Sequence, residues 1–126
     1  MHEFGITSRI VDTVLRAVGE QDAAAVVRVD LLVGQLTFLD PRQVAVAYAI
    51  LTRGTPLENS KLSIDEGKGL VRCQNCQQTN EIEVPHQEEH DSLQPALPLL
   101  VCPNCGGGLT VIGGRECLIR GIALRE

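Results

Sequence analysis

Cys73-Gln74-Asn75-Cys76 and Cys102-Pro103-Asn104-Cys105-Gly106 decide how this chain is read. Both stretches have Cys-x-x-Cys spacing, and twenty-five residues separate the two pairs. A tight Cys-x-x-Cys turn presents both sulfurs together, with backbone N–H groups pointing back at them. Two such turns facing each other complete a tetrahedral four-sulfur cage, with metal–sulfur bonds of about 2.3 Å. A cage closed by four thiolates has no open position, so it braces a fold and does not activate water.

Cys73, Cys76, Cys102 and Cys105 are therefore expected to hold structural zinc. A redox Cys-x-x-Cys sits at a helix N-terminus after a strand, and neither pair is followed by a helical pattern. Iron fits the same donor set, and the Cys102-Pro103-Asn104-Cys105-Gly106 turn resembles those of rubredoxins. The near absence of aromatic residues around the site favours zinc over iron. The fifth cysteine, Cys117, reads as a small buried hydrophobe in the last strand.

Outward from the cysteines, Leu70 to Arg72 leads into the first pair and Glu81 to Val84 leads away. Leu99 to Val101 approaches the second pair, Gly106-Gly107-Gly108 supplies a turn, and Leu109 to Ile112 is a short strand. These pieces make a zinc-ribbon lobe over residues 70–114. The remainder, residues 1–69 and 115–126, forms an α/β lobe. Ile6, Ile10, Val11, Val14, Leu15 and Val18 share one helical face, which Gly19 ends. Val26 to Val33 reads as a strand, with Val27, Val29, Leu31 and Val33 on one side and Arg28 and Asp30 on the other. Asp40-Pro41 marks a helix start, with Asp as N-cap and Pro at the first helical position. That helix runs to about Leu51, before Gly54 and Pro56. Leu62 to Asp65 is a second strand, and Glu116 to Leu124 is a closing strand that returns to the first sheet. The expected fold is α+β: a small, mainly antiparallel three-stranded sheet with two helices and an inserted zinc ribbon.

Composition narrows the partners. A formal charge of −5 and a pI near 5.1 argue against nucleic acid, because phosphate binding needs a basic face. No signal peptide and no membrane-spanning run is visible, so a cytoplasmic protein with reduced thiols is expected.

Met1-His2-Glu3 is the second candidate site. Methionine before a bulky residue is normally retained, which keeps His2 second. The Met1 α-amine, the His2 amide and His2 Nδ1 can then close fused chelate rings, an arrangement that suits square-planar Ni(II) or Cu(II). Glu3 or a donor from elsewhere completes the set. Taken alone, three residues fit an exposed, frayed terminus better.

Met-His-Glu opening an amphipathic helix, followed by two cysteine knuckles, resembles the HypA/HybF family of nickel metallochaperones for [NiFe] hydrogenase maturation. The resemblance spans nearly the whole chain. It includes Ile10-Val11, Val33-Gly34-Gln35-Leu36, Thr52-Arg53-Gly54-Thr55 and Gly114-Arg115-Glu116. It implies a nickel site at Met1, His2 and Glu3, zinc on the four cysteines, and no enzymatic activity. It also implies a GTPase partner, HypB, and delivery to the hydrogenase large-subunit precursor. Urease maturation is served by some relatives. A homodimer, for instance one exchanging ribbons, is compatible with this reading. The family often has Ser where this chain has Gly5, a change expected to loosen the first helical turn. Ribbon geometry is expected to couple to nickel binding.

Two further signals point to less. His86-Gln87-Glu88-Glu89-His90 matches the inverted zinc-protease pattern, but Pro85 and Pro95 bracket it as a loop. His86 or His90 remains a candidate fourth nickel ligand. Asp40 is already accounted for as an N-cap. The glycine runs lack the Lys-Ser/Thr of a phosphate loop, so no nucleotide is expected. The readings that compete with a nickel carrier are a zinc-ribbon interaction module and an iron electron carrier.

Overall fold

A computed structural model describes residues 2–82 and 101–126 of the chain. Met1 and residues 83–100, including the expected loop with His86 and His90, lie outside the described residues. Contacts divide the chain into two compact units: Met1–Val33, Leu39–Asp65 and Cys117–Glu126 in one, Gly34–Phe38 and Glu66–Glu116 in the other. The α+β architecture expected from the sequence is the one observed.

The first unit starts with α1 (His2–Ala23), broken at Gly19, whose φ of 78° and ψ of 165° are not helical. The helix runs through Gly5 without unwinding, and the Thr7 hydroxyl donates to the Glu3 carbonyl at 2.6 Å across the first turn. Ile10, Val11 and Val14 are buried along its inner face. Helix α2 (Pro41–Leu51) begins where Asp40-Pro41 predicts, with the Asp40 side chain accepting from the Arg42 N–H at 3.0 Å.

The sheet of this unit has the order β2-β1-β6, from β1 (Val26–Gly34), β2 (Lys61–Gly67) and β6 (Cys117–Leu124). The last strand returns antiparallel to the first, pairing Val33 with Cys117 and Val26 with Leu124. The inner face of β1 departs from the expected alternation at its start. Val27 does not share the inner face: it is exposed, and Val26 is buried in its place. The register slips between Val26 and Arg28. An extra residue in one strand reverses the alternation up to that point. Val29, Leu31 and Val33 lie inward as expected and join Val14, Val44, Tyr48 and Leu57 in the core. Burying each such side chain contributes about 1.5–3 kcal/mol. Tyr48 keeps its hydroxyl satisfied by Ser60 Oγ at 2.7 Å.

The second unit carries the sheet β4-β3-β5, with β3 (Gly69–Cys73) central, β4 (Thr79–Ile82) and β5 (Leu109–Gly113), all neighbours antiparallel. Gly34–Phe38 packs with this unit, although the sequence groups it with the α/β lobe. The Gly34 N–H donates to the Glu116 carbonyl and the Leu36 N–H to the Gly114 carbonyl, each at 2.7 Å. The two backbones approach so closely that a Cβ on Gly34 would fall 2.1 Å from the Gly114 oxygen. A Cβ on Gly114, where φ is +102°, would fall 2.7 Å from the Gly69 Cα. Val33-Gly34-Gln35-Leu36 and Gly114-Arg115-Glu116, two stretches of the family resemblance, thus meet at one glycine-packed junction. Among the described residues, no helix is long and apolar enough to cross a membrane.

Candidate metal centre

Strand β3 ends on Cys73, and its turn into β4 carries Cys76. Cys102 and Cys105 occupy a turn enclosed by the bridge between Val101 and Gly108. The turns are built alike. The Gln77 N–H donates to the Cys73 carbonyl at 3.0 Å, and the Gly106 N–H donates to the Cys102 carbonyl at 2.8 Å. Both of these residues have left-handed backbones, φ 67° at Gln77 and 78° at Gly106. The turns also interlock: the Gln74 N–H reaches the Gly108 carbonyl at 3.0 Å.

This arrangement brings the four sulfurs within 4.8 Å of one another. Cys73 and Cys105 are 3.5 Å apart, and Cys76 and Cys102 are 3.8 Å apart. A tetrahedron with bonds of about 2.3 Å has edges of about 3.8 Å, so the spacing suits a metal at the centre. No disulfide joins these cysteines. The donors are all sulfur, which selects zinc or iron over the hard, oxygen-loving cations, and the four-cysteine cluster fits a zinc site. It is the one such group of potential metal ligands among the described residues.

Backbone donors surround the two buried sulfurs. Cys73 Sγ accepts from the N–H groups of Cys76 and Asn75, each at 3.3 Å, and Cys102 Sγ accepts from the Asn104 N–H at 3.4 Å. The Cys76 N–H leads in drawing the Cys73 thiol down to about 6, assisted by Asn75 and Cys105 and opposed by burial. A thiol that ionises easily is a better ligand near neutrality. Cys117 behaves oppositely: half-buried against the α/β core, its thiol is pushed up by desolvation.

Sequence reasoning missed three residues here. Gly107 lies against the cage, and a Cβ on it would fall 3.0 Å from the Asn75 Cβ and 3.2 Å from Cys73 Sγ. Asn75 and Asn104 hold equivalent places in the two knuckles, and their side-chain amides approach sulfur. The signal was legible, since both Cys-x-x-Cys pairs have asparagine third.

At the other candidate site, α1 starts at His2, whose side chain is 62% exposed, while that of Glu3 is 17% exposed. Glu3 Oε2 accepts from the Asp40 N–H at 3.1 Å, and His2 Nδ1 stands 4.0 Å from Glu3 Oε1. The Glu3 carboxylate thus ties the start of α1 to the start of α2. Met1, His86 and His90 fall outside the described residues.

Residues 1–124 match the family model described as "Hydrogenase/urease nickel incorporation, metallochaperone, hypA". The chain is 32% identical to hydrogenase maturation factor HypA of Methanothermobacter thermautotrophicus, covering 100% of this chain and 98% of the relative. It is 36% identical to the protein of that name from Nostoc punctiforme, covering 100% and 97%. Among solved structures, the solution structure of the Ni metallochaperone HypA from Helicobacter pylori shares the fold. The TM-score is 0.62 at 16% identity, over 98% of this chain and 97% of that one.

Proposed function

From the premise that the chain belongs to the HypA family of hydrogenase/urease nickel-incorporation metallochaperones, we propose that it binds Ni(II) at Met1, His2 and Glu3 for delivery. What carries this reading is a family match that begins at residue 1 and so includes the Met-His-Glu opening. The local chemistry supports it. The first N–H groups of a helix lack intrahelical partners, and His2 and Glu3 open the described part of α1. Deprotonating them for a metal therefore costs no helical hydrogen bond. The His2 ring is solvent-accessible, as a carrier that must take up and release its cargo requires.

Cys73, Cys76, Cys102 and Cys105 would hold a zinc ion, which braces the ribbon and takes no part in chemistry. The protein acts as a carrier, not an enzyme, in the cytoplasm. A GTPase of the HypB type and the hydrogenase large-subunit precursor are its partners. A carrier must bind tightly enough to select nickel and loosely enough to surrender it. Proton-dependent nitrogen ligands at a chain end meet both needs, since acid competes directly with the metal.

Nickel titration of three untagged proteins tests this: the native terminus, His2→Ala, and a version with one residue added before Met1. Loss of the tight site in both altered proteins, with about one zinc per chain kept throughout, is the expected result. Equal nickel binding by all three rules the terminal site out and leaves a zinc-ribbon interaction module as the better description.

A further inference from the structure

The four sulfurs of the cage are not equivalent. Cys73 and Cys102, the first of each pair, are buried and accept backbone N–H bonds from their own turn. Cys76 and Cys105, the second of each pair, face solvent. They meet the side-chain amide of the opposite knuckle instead. Asn104 Nδ2 lies 3.8 Å from Cys76 Sγ, and Asn75 Nδ2 lies 3.6 Å from Cys105 Sγ. The exchange is reciprocal, each turn lending one amide to its neighbour's exposed sulfur.

An asparagine in a tight turn ordinarily bonds its own backbone nearby. Here both amides reach across the cage. Their orientation is forced, since a thiolate only accepts, and the amide oxygen turned toward it would set two acceptors face to face. We propose that Asn75 and Asn104 are positioning residues. Each caps the solvent-facing sulfur of the other knuckle and limits how readily outside reagents and competing chelators attack it. A thiolate that donates density into an N–H bond is a weaker nucleophile. Gly107 assists by letting Asn75 lie close, with 3.0 Å from its would-be Cβ to the Asn75 Cβ. The inference rests on the four-sulfur metal cage and is independent of the nickel site.

The test is site-resolved alkylation of the zinc-loaded protein. Iodoacetamide transfers its carbamoylmethyl group to sulfur and releases iodide, and peptide mass spectrometry reads each cysteine separately. In Asn75→Ala, Cys105 should be labelled about five-fold faster, while the adjacent Cys76 keeps the native rate. In Asn104→Ala the pattern should invert, with Cys76 accelerated and Cys105 unchanged. Asn75→Asp, which keeps the shape but replaces the donor with a carboxylate, should lose zinc to a competing chelator faster than Asn75→Ala. Acceleration of the neighbouring cysteine, uniform acceleration of all four, or no change overturns the proposal. Zinc content of the unsubstituted protein separates the two layers. A zinc-free native protein refutes the cage itself, whereas a zinc-loaded protein with native labelling in both variants refutes only the capping.

Discussion

The two compact units stay folded by different means. In the α/β unit, Val14, Val29, Leu31, Val33, Val44 and Leu57 are each no more than 2% exposed, and they form one continuous apolar cluster. In the ribbon unit the buried hydrophobic side chains among the described residues are Val71, Cys73 and Cys102, two of them metal-site sulfurs. The first unit excludes water from a core. Among its described residues the second has little core to exclude water from, and its three short strands converge on a cage. A sheet of this size lacks the buried area to offset the entropy of ordering it, so the metal must supply the difference.

That contrast can be broken most severely by removing zinc. Structural zinc contributes apparent binding free energies of about 10–16 kcal/mol, against few buried apolar side chains among the ribbon's described residues. Chelation should therefore melt β3, β4 and β5 while α1, α2 and the β2-β1-β6 sheet remain. Amide hydrogen exchange reads both units at once. Protection lost across residues 69–73 and retained across 26–33 is the expected outcome; protection lost everywhere would show that the α/β core does not stand alone.

A smaller effect should run in the opposite direction. Leu57→Ala empties a fully buried position of the α/β core and should cost about 2–5 kcal/mol in chemical denaturation. Zinc content should not change. Smaller again, Asp40→Ala removes the side-chain cap of α2 and should cost about 1 kcal/mol, again without loss of zinc. If either substitution released zinc, the division of labour between core and cage would be wrong.

The sequence was legible where a local rule decides the structure. Asp40-Pro41 sets the start of α2 because cap geometry depends on adjacent residues alone. The two Cys-x-x-Cys turns announce their cage because spacing fixes where the sulfurs point. Legibility failed where the deciding partner is remote in sequence. Val26-Val27 offers two equivalent candidates for the inner face, and only pairing with β6, some ninety residues on, introduces the slip that buries Val26. The role of Gly34 likewise depends on a carbonyl at Gly114. Cys117, expected to be buried, is half-buried because it opens the edge strand β6. The sequence presents Glu3 only as a candidate metal ligand, and its carboxylate holds the Asp40 N–H, a contact across 37 residues that no local pattern reveals.

The proposed nickel site would extend the contrast to the metals, with four sulfurs suited to zinc in one unit and nitrogen ligands proposed for nickel in the other. Its most direct test is the absorption spectrum of untagged, zinc-loaded protein during nickel addition, with zinc measured in parallel. A weak visible band of square-planar nickel, with about one zinc retained per chain, is the predicted result. Intense sulfur-to-nickel charge-transfer bands rising as zinc is released would place the cargo in the cysteine cage and contradict the account.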